Sequence, residues 1–313
     1  MKALISGSIA YDTIMVFEDE FRNHIFPDQV HILNVCFVAP SMRREFGGCA
    51  GNIAYNLKLL GGDPRILATV GDDFDSYSYQ LEKHSLDDQF IKHIPGSFTA
   101  QAFITTDLEN NQITAFHPGA MNFAHESDFN SAVQQVQLGI VAPNGKQGML
   151  DHASSFVKKG VPFFFDPGQQ MPMFSKEELL NFIDQASYVI VNDYESKMLQ
   201  DKTGMTEQEI AAKLEAYVIT MGSKGATIFH SGNVIQIPAA PISEAVDPTG
   251  CGDAFRGGML FGILKGLGWQ ECGQIGSLCG AIKIEHGGTQ NHSFTLEEFV
   301  NRYEQSFGQK LSL

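Results

Sequence analysis

Short apolar segments alternate with amphipathic segments along most of the 313-residue chain. Apolar positions recur at the spacing of an α-helix in residues 50–60, 74–84, 176–186 and 207–217. Brief apolar runs typical of buried strands separate these helical segments, at residues 3–6, 66–70, 139–142, 162–166, 188–191, 218–220 and 227–229. The alternation predicts an α/β fold in which helices cover both faces of a doubly wound, mostly parallel sheet.

Two extended segments interrupt this rhythm. Residues 30–46 and 99–116 have the pattern of strands, and residues 108–111 suit a hairpin turn. We predict that insertions at about 13–48 and 95–120 form a small β-sheet lid, within one α/β domain of residues 1–313. Such a lid would close over a pocket and exclude water from a reaction. Extra strands at the edge of the main sheet are the alternative interpretation, and the exposed lid edge could pair with a second copy to form a homodimer.

The net charge and the spacing of the cysteines argue against several classes of function. The net charge of −15 argues against nucleic acid or an anionic membrane as the main partner. Residues 1–16 carry a single Lys and are interrupted by Gly7, so we interpret them as a buried first strand and not as a leader or a membrane span. The five cysteines include no Cys-x-x-Cys pair, which favours reduced thiols in the cytoplasm. The ten histidines lack metal-ligand spacing, so we expect no structural zinc.

Residues 247–253, Asp-Pro-Thr-Gly-Cys-Gly-Asp, precede an apolar helical stretch. Gly250 and Gly252 allow a tight turn that points several N–H groups, including that of Cys251, at one spot beside the positive end of the helix dipole. Asp253 at the rim could take a proton from an attacking hydroxyl group while these N–H groups stabilise the phosphoryl charge. The segment therefore predicts a phosphoryl-transfer centre, although it also fits a strand-to-helix turn with a capping aspartate.

Four motifs occur in order along the chain: residues 47–52 (Gly-Gly-Cys-Ala-Gly-Asn), 192–195 (Asn-Asp-Tyr-Glu), 220–225 (Thr-Met-Gly-Ser-Lys-Gly) and 247–253. Together they resemble the signatures of the ribokinase-like (phosphofructokinase-B type) carbohydrate kinases. The last signature is usually Asp-Thr-x-Gly-Ala-Gly-Asp, from which this chain departs at Pro248 and Cys251. The resemblance implies a ribokinase-like fold and direct phosphoryl transfer from ATP, with Mg²⁺, to a hydroxyl group of a small molecule.

The resemblance also implies a role for each motif. The substrate hydroxyls would be held by Ser8, Asp12, Gly47, Gly48 and Asn52. The phosphates of ATP would contact Asn192, Thr220, Gly222, Gly225, Gly250 and Gly252. Glu195 and Asn192 would hold Mg²⁺ through water, although they fit a helix cap equally well, and Asp247 and Thr249 would bind K⁺. Residues 286–290, which also fit a Gly-rich helix end, would close the adenine pocket.

The lid segments suggest the acceptor. Residues 101–107 (Gln-Ala-Phe-Ile-Thr-Thr-Asp) and 113–121 are similar to the adenosine and nucleoside kinase branch, which implies that Gln101, Phe103 and Phe116 contact a purine. The expected activity is adenosine kinase, with phosphorylation of the ribose 5′-hydroxyl group. A sugar kinase of the ribokinase or fructokinase type is the alternative, in which Arg43 and Arg44 would be the local candidates for a phosphosugar clamp.

Two further hypotheses use the same residues differently. A non-catalytic nucleoside or sugar sensor could keep this fold, although Asp253 between its glycine-rich turn and its helix argues for catalysis. Cys251 at a helix N-terminus also raises the hypothesis of a reactive thiolate, against which stands a simple space-filling role.

Overall fold

The computed structural model describes residues 1–26, 31–32, 34–109 and 111–311. Among these residues, nine strands form the larger sheet: β1 (Lys2–Ser6), β4 (Asp63–Val70), β5 (Ile91–His93), β8 (Val136–Val141), β9 (Phe163–Phe165), β10 (Tyr188–Asn192), β11 (Ala216–Thr220), β12 (Ala226–His230) and β13 (Asn233–Ile237). A separate sheet, the lid, contains β2 (Ala10–Val16), β3 (Ser41–Gly47), β6 (Ala100–Thr106) and β7 (Gln112–His117).

The larger sheet has the strand order β13-β12-β11-β10-β9-β8-β1-β4-β5. From β1, the third strand from one edge, the chain winds first to β4 and β5, and then through β8 to the other side. All pairs from β5 to β11 are parallel, while β12 and β13 add an antiparallel edge. The prediction of a doubly wound, mostly parallel sheet is confirmed, and such sheets bind ligands beyond the carboxyl ends of their strands.

Helices cover both faces of this sheet, as predicted. Along β1, Ala3 and Ile5 enter one hydrophobic core while Leu4 enters the other, because successive side chains of a strand point to opposite faces. The described helices are α1 (Cys49–Leu59), α2 (Asp75–Lys83), α3 (Phe129–Ala132), α4 (Lys146–Lys159), α5 (Lys176–Gln185), α6 (Asp193–Thr203), α7 (Glu207–Ala211), α8 (Cys251–Leu264), α9 (Trp269–Ile284) and α10 (Leu296–Phe307). Within the described ranges, no helix is long and apolar enough to cross a membrane.

The lid has the strand order β3-β2-β6-β7. It is a sheet of its own and not an extension of the main sheet, in agreement with the prediction. One expectation was wrong: residues 1–16 form two strands in two sheets, because the chain leaves β1 at Gly7 and enters β2 at Ala10. Within the segment predicted as a strand at 30–46, the described strand begins at Ser41, and Val30 and Leu33 lie outside the described residues. Asn110 of the predicted hairpin turn lies outside them as well.

The predicted helix at 207–217 is also wrong in its second half. Helix α7 ends at Ala211, and β11 begins at Ala216. Tyr217 is buried and pairs with Val189 of β10, so pairing within the main sheet overrides the local helical spacing. Strands β5 and β13 were not predicted. That residues 1–313 form a single domain stays a prediction.

Candidate active site

Asp253 lies in the first turn of α8, in the wall of a large cavity. Its Oδ2 accepts a hydrogen bond from Nδ2 of Asn52 at 2.8 Å. Withdrawal from water raises the pKa of Asp253 to about 6, while the nearby Arg256 and the Asn52 amide act in the opposite direction. A carboxylate with this pKa is ionised at neutral pH and is still basic enough to accept a proton from a substrate.

The turn before α8 exposes backbone N–H groups beside Asp253. Gly250 adopts a left-handed conformation with φ +79°, and a Cβ atom there would lie 3.0 Å from Cγ2 of Thr289, so glycine is needed. The N–H group of Cys251 donates to the carbonyl oxygen of Pro248 at 3.2 Å, which corrects the prediction that it is available to an anion. The first-turn N–H groups of Gly252 and Asp253 have no intrahelical acceptor and form the candidate anion hole.

A buried ion pair adjoins this anion hole. The Arg256 guanidinium donates to both oxygens of Asp166, with 2.7 Å from Nη2 to Oδ1. A Cβ atom on Gly252 would lie 2.9 Å from Nη1 of Arg256, so the cation reaches the start of α8. Burial alone would lower the pKa of Arg256, but the Asp166 carboxylate raises it, and the residue therefore keeps its charge.

The cavity beside these groups has a volume of about 770 Å³ and is large enough for a nucleotide. Helix α9 and residues 239–242 form its far wall. All six residues that were predicted for the nucleotide side line this cavity together with Glu195: Asn192, Thr220, Gly222, Gly225, Gly250 and Gly252. The structure thus brings the predicted nucleotide-side motifs together around one space.

Asn192 and Glu195 form a reciprocal helix cap within this cavity wall. The backbone N–H of Glu195 donates to Oδ1 of Asn192 at 2.7 Å, and the backbone N–H of Asn192 donates to Oε2 of Glu195 at 2.8 Å. Burial and the charge of Asp166 raise the pKa of Glu195. The donor set of one carboxylate facing a roomy cavity fits Mg²⁺, which keeps most of its water ligands.

Asp12 lies at the base of the lid, in β2 and not in the loop where it was expected. A Cβ atom on Gly47 would lie 2.5 Å from Oδ2 of Asp12, so the carboxylate occupies the space that glycine leaves open. Burial raises the pKa of Asp12 to about 6, and the charges of Asp247 and Glu45 add to this effect. The carboxylate faces the same charged loop that leads into α8.

Pairing of the lid strands decides which side chains face the site. Glu45, Asp12, Ala102 and Phe116 are direct cross-strand partners on β3, β2, β6 and β7, and therefore share one face. This face contacts the active-site side of the molecule, because Nδ2 of Asn291 donates to Oε2 of Glu45. We call it the inner face of the lid, and Phe116 is 50% exposed on it.

The two other predicted lid residues do not lie on the inner face. Gln101 and Phe103 alternate with Ala102 along β6 and point to the outer face. Nε2 of Gln101 donates to Oδ2 of Asp73 at 2.7 Å, which ties it to the loop before α2. Arg44 also lies on the outer face, over the ring of Tyr11. A substrate held on the inner face would therefore not contact Gln101 or Phe103.

Ser8, Gly48 and Asn52 shape the start of α1. The hydroxyl of Ser8 accepts the N–H of Cys49 at 3.1 Å, and Gly48 is the residue before the helix, with φ +88°. The Asn52 amide donates to Asp253 and accepts from Nε2 of Gln290 at 3.0 Å. Ser8 and Gly48 thus shape the start of the helix, while Asn52 holds the Asp253 carboxylate in place. Direct contact of these residues with substrate hydroxyls stays a prediction.

Asp247 is held by backbone and by a lysine. Its Oδ1 accepts the N–H of Thr249 at 2.9 Å, and its Oδ2 accepts the N–H of Gly288 at 2.9 Å. Nζ of Lys283 donates to the carbonyl oxygen of Asp247 at 2.6 Å and lies 3.9 Å from Oδ2. Burial lowers the pKa of Lys283, while the charge of Asp247 raises it. Because this ammonium group already occupies the oxygen cluster, the predicted K⁺ site at Asp247 and Thr249 does not fit the structure.

Comparison with known proteins agrees with this geometry. The model of a family described as pfkB family carbohydrate kinase matches residues 25–295. This chain belongs to that family. The nucleoside kinase of Methanocaldococcus jannaschii is 32% identical over 276 residues, which cover 87% of this chain and 89% of that protein. The kinase described here is therefore a phosphotransferase whose acceptor is an alcohol group.

Solved structures share the fold of this pfkB family kinase. The structure of Burkholderia thailandensis nucleoside kinase in complex with inosine has a TM-score of 0.89 and 49% identity, over 98% of this chain and 99% of that chain. Another structure of that enzyme, in complex with ADP-inosine, has a TM-score of 0.87 and 51% identity, over 98% and 97%. Ribokinase from Thermotoga maritima, at 20% identity over 96% and 99%, has a TM-score of 0.78. The prediction of a ribokinase-like fold is confirmed.

Several residues of this kinase site were not predicted from the sequence. Arg256 follows Asp253 by three residues, and a lone arginine inside the apolar stretch after the glycine-rich turn was the available signal. Gln290 was assigned to the adenine pocket, but Nε2 donates to Oδ1 of Asn52 and to the hydroxyl of Tyr77 at 2.8 Å. Residues 288–291 thus fasten α1 and the lid base, and no local pattern indicates these distant partners.

The redox hypothesis for Cys251 is not supported by its surroundings. Burial raises the pKa of the Cys251 thiol to about 11, although the charge of Lys283 acts in the opposite direction. The thiol also lies 3.9 Å from the carbonyl oxygen of Asp247. The helix N-terminus does not compensate for the loss of water here, so the thiol stays protonated at neutral pH.

The pKa values predict a pH profile for the kinase. Asp253 accepts a proton only when it is ionised, and Asp12 binds hydroxyl groups best as a carboxylate. Because both pKa values are raised to about 6, kcat/KM is expected to fall as the pH drops through about 6 and to approach a second-order dependence on proton concentration. Measurement of ADP release between about pH 5 and pH 8 tests this. A flat profile down to about pH 5 would contradict the assignment of these carboxylates.

Proposed function

We propose that this enzyme is an ATP- and Mg²⁺-dependent nucleoside kinase that phosphorylates the ribose 5′-hydroxyl group, with adenosine as the expected substrate. The observation that carries the proposal is the position of Asp253, which lines a nucleotide-sized cavity and is linked by hydrogen bonds through Asn52, Gln290 and Tyr77 to Gly47 at the lid base. The nucleoside kinases among its relatives, one of them in a complex with inosine, support the acceptor class.

Different residues of this site perform the proton transfer and the stabilisation of the phosphoryl charge. Asp253 takes the proton of the 5′-hydroxyl group while the oxygen of that hydroxyl forms a bond to the γ-phosphorus of ATP. The bond between the γ-phosphorus and the β,γ-bridging oxygen breaks, which leaves ADP. The N–H groups of Gly252 and Asp253 and the guanidinium of Arg256 stabilise the charge on the transferred group. The transfer is direct, in line and without a phosphoenzyme. Asn52 holds the Asp253 carboxylate in the orientation that this proton transfer requires.

Mg²⁺ would be held next to the phosphates by Glu195, with Asn192 and water completing its ligands. When bound, it neutralises phosphate charge and orients the phosphate chain for transfer. Asn192 keeps the Glu195 carboxylate in place through their reciprocal hydrogen bonds, while a free carboxylate oxygen remains for the hydrated ion. Both residues thus serve the helix and the metal at once.

The inner face of the lid has room for a nucleoside. Asp12 and Phe116 are two strands apart in one cross-strand row, which corresponds to about 10 Å. The small Ala102 between them leaves a shelf on which a flat base can lie against Phe116 while the ribose hydroxyls reach Asp12. This spacing suits a base joined to a pentose better than a free sugar.

The two lid phenylalanines give a matched pair of variants. Phe116→Ala is expected to raise KM for nucleosides roughly tenfold, the worth of one stacking contact with a base. Phe103→Ala, on the outer face, is expected to leave KM unchanged. Initial rates for both variants over a range of adenosine and inosine concentrations provide the measurement. Equal effects of the two substitutions would show that the lid does not read the base through its inner face.

A substrate panel tests the function itself. ADP production is measured with ATP and Mg²⁺ on adenosine, inosine, guanosine, cytidine, ribose, fructose and fructose 6-phosphate. Turnover of nucleosides but not of free sugars is the expected result, and turnover of sugars alone would move the enzyme to a sugar kinase branch. No turnover of any compound would favour the sensor. Arg43 already pairs with Glu45 at 3.2 Å, and Arg44 faces outward, so neither side chain forms a ready phosphosugar clamp.

A homodimer through the lid also belongs to this proposal. The outer face carries exposed Met42, Phe103 and Ile113, and strands β3 and β7 are open edges of the lid sheet. The molar mass in solution tests the dimer. A cytoplasmic location stays a prediction.

A further inference from the structure

Lys283 is the one fully buried lysine among the described residues, with a relative exposure of 0%. It lies in the last turn of α9 and extends toward the loop that leads into the anion hole. Its Nζ donates to the carbonyl oxygen of Asp247 at 2.6 Å and to that of His286 at 3.2 Å. Oδ2 of the Asp247 carboxylate is 3.9 Å away. One positive charge therefore sits in a cluster of oxygen atoms.

The surrounding groups explain why a cation is needed there. The Asp247 carboxylate lies three residues before Gly250, and its negative charge would oppose a phosphate that binds at the start of α8. The positive charge of Lys283 offsets it. The same ammonium group links Asp247 to the turn after α9, because it also donates to the carbonyl oxygen of His286. The N–H of Gly288 in that turn donates to the Asp247 carboxylate.

This cluster has the ligands of a monovalent cation: a carboxylate and backbone carbonyl oxygens. The ribokinase-like resemblance implies K⁺ at Asp247 and Thr249. A K⁺ ion bound to the carbonyl oxygen of Asp247 would have to share that oxygen with the ammonium group of Lys283, and two cations in one buried cluster repel each other.

We propose that the ammonium group of Lys283 takes the place of a bound K⁺ ion in this enzyme, which therefore works without a monovalent cation. Only the kinetic effects that this inference predicts depend on the proposed kinase function. The position of the charge is a property of the fold. It predicts that removal of the side chain creates a cation site where the intact protein has none.

The test compares salts at one ionic strength: KCl, NaCl and choline chloride. Turnover of the wild type is expected to be the same in all three. Lys283→Ala is expected to lose roughly tenfold or more of its turnover in choline chloride, the effect of removing a charge beside an anion hole, and to regain much of it in KCl. Lys283→Met, which is neutral but fills the space, is expected to lose turnover without such recovery.

Thermal unfolding supplies a readout that does not depend on catalysis. KCl is expected to raise the unfolding temperature of Lys283→Ala above its value in choline chloride, and to leave that of the wild type and of Lys283→Met unchanged. Lys202→Ala is the matched control. Lys202 lies in the last turn of α6, and its Nζ also donates to two carbonyl oxygens, those of Pro172 and Phe174. This variant should show no specific response to K⁺.

Several results would overturn the inference. The first is a specific rise of the wild-type turnover or unfolding temperature with K⁺. The second is that Lys283→Ala folds but gains neither activity nor stability from K⁺. If the wild type phosphorylates no compound of the panel, the proposed function fails while the unfolding measurements still decide the role of Lys283. If Lys283→Ala does not fold in any salt, the comparison of the wild type in the three salts decides it.

Discussion

Asp253→Asn is expected to lower kcat by about 10²–10⁴, the usual contribution of a positioned general base. The substitution keeps the shape of the side chain and an oxygen that can accept from Nδ2 of Asn52, so the site stays assembled. What disappears is the group that takes the proton from the attacking hydroxyl. Steady-state ADP production with saturating ATP and nucleoside provides the measurement.

Asp12→Asn is the matched control for this loss. Asp12 has a similarly raised pKa, but it lies at the lid base, where it would hold substrate hydroxyls. Its replacement is expected to act mainly through KM. The unfolding temperature and ADP binding of Asp253→Asn should remain close to those of the wild type. Near wild-type turnover of Asp253→Asn would refute the general-base assignment, whatever the substrate.

Asp166→Ala is expected to lower the free energy of unfolding by about 3–5 kcal/mol. Asp166 and Arg256 are both buried and joined by two hydrogen bonds, so loss of the carboxylate leaves a buried guanidinium without its hydrogen-bonded partner. Urea unfolding followed by circular dichroism measures the change. Activity should also fall, because Arg256 loses the partner that holds it beside the anion hole.

Two control variants show whether burial is the cause. Lys213→Ala removes the exposed Lys213–Asp184 pair and is expected to cost less than about 1 kcal/mol. The double variant Asp166→Leu with Arg256→Met removes both charges of the pair and is expected to recover part of the lost stability, although Asp253 then loses its nearby cation. If Asp166→Ala were no more destabilising than Lys213→Ala, the pair would not hold this part of the fold together.

Much of the fold can be predicted from the sequence because its signals are local. The buried strand at 188–191 and its helix partner at 176–186 show clear hydrophobic periodicity, and both were placed to within a residue. Errors arose where local spacing and sheet pairing compete, as at Tyr217, or where the chain changes sheets within a few residues, as between Ser6 and Ala10. Neither event leaves a distinct local pattern.

The part of the candidate site that lies within one short segment of the chain could be predicted from the sequence. The glycine-rich turn and Asp253 are neighbours in sequence, so their joint role could be inferred. Asp166 and Arg256 are 90 residues apart, and Asn52 and Gln290 are 238 apart, so those contacts could not. Likewise, the composition of β6 and β7 suggested a lid but not which phenylalanine faces inward, since that depends on strand register.

By itself, the sequence determined the α/β alternation, the order of the four motifs and the position of Asp253 directly after a glycine-rich turn, because each depends on residues that are close along the chain. The tertiary structure alone decided that Phe116 and Asp12 share a face of the lid, that Arg256 reaches the start of α8 and that the ammonium group of Lys283 lies among oxygen atoms of Asp247 and His286. These are consequences of strand register and helix packing, which depend on the whole fold and not on any local segment.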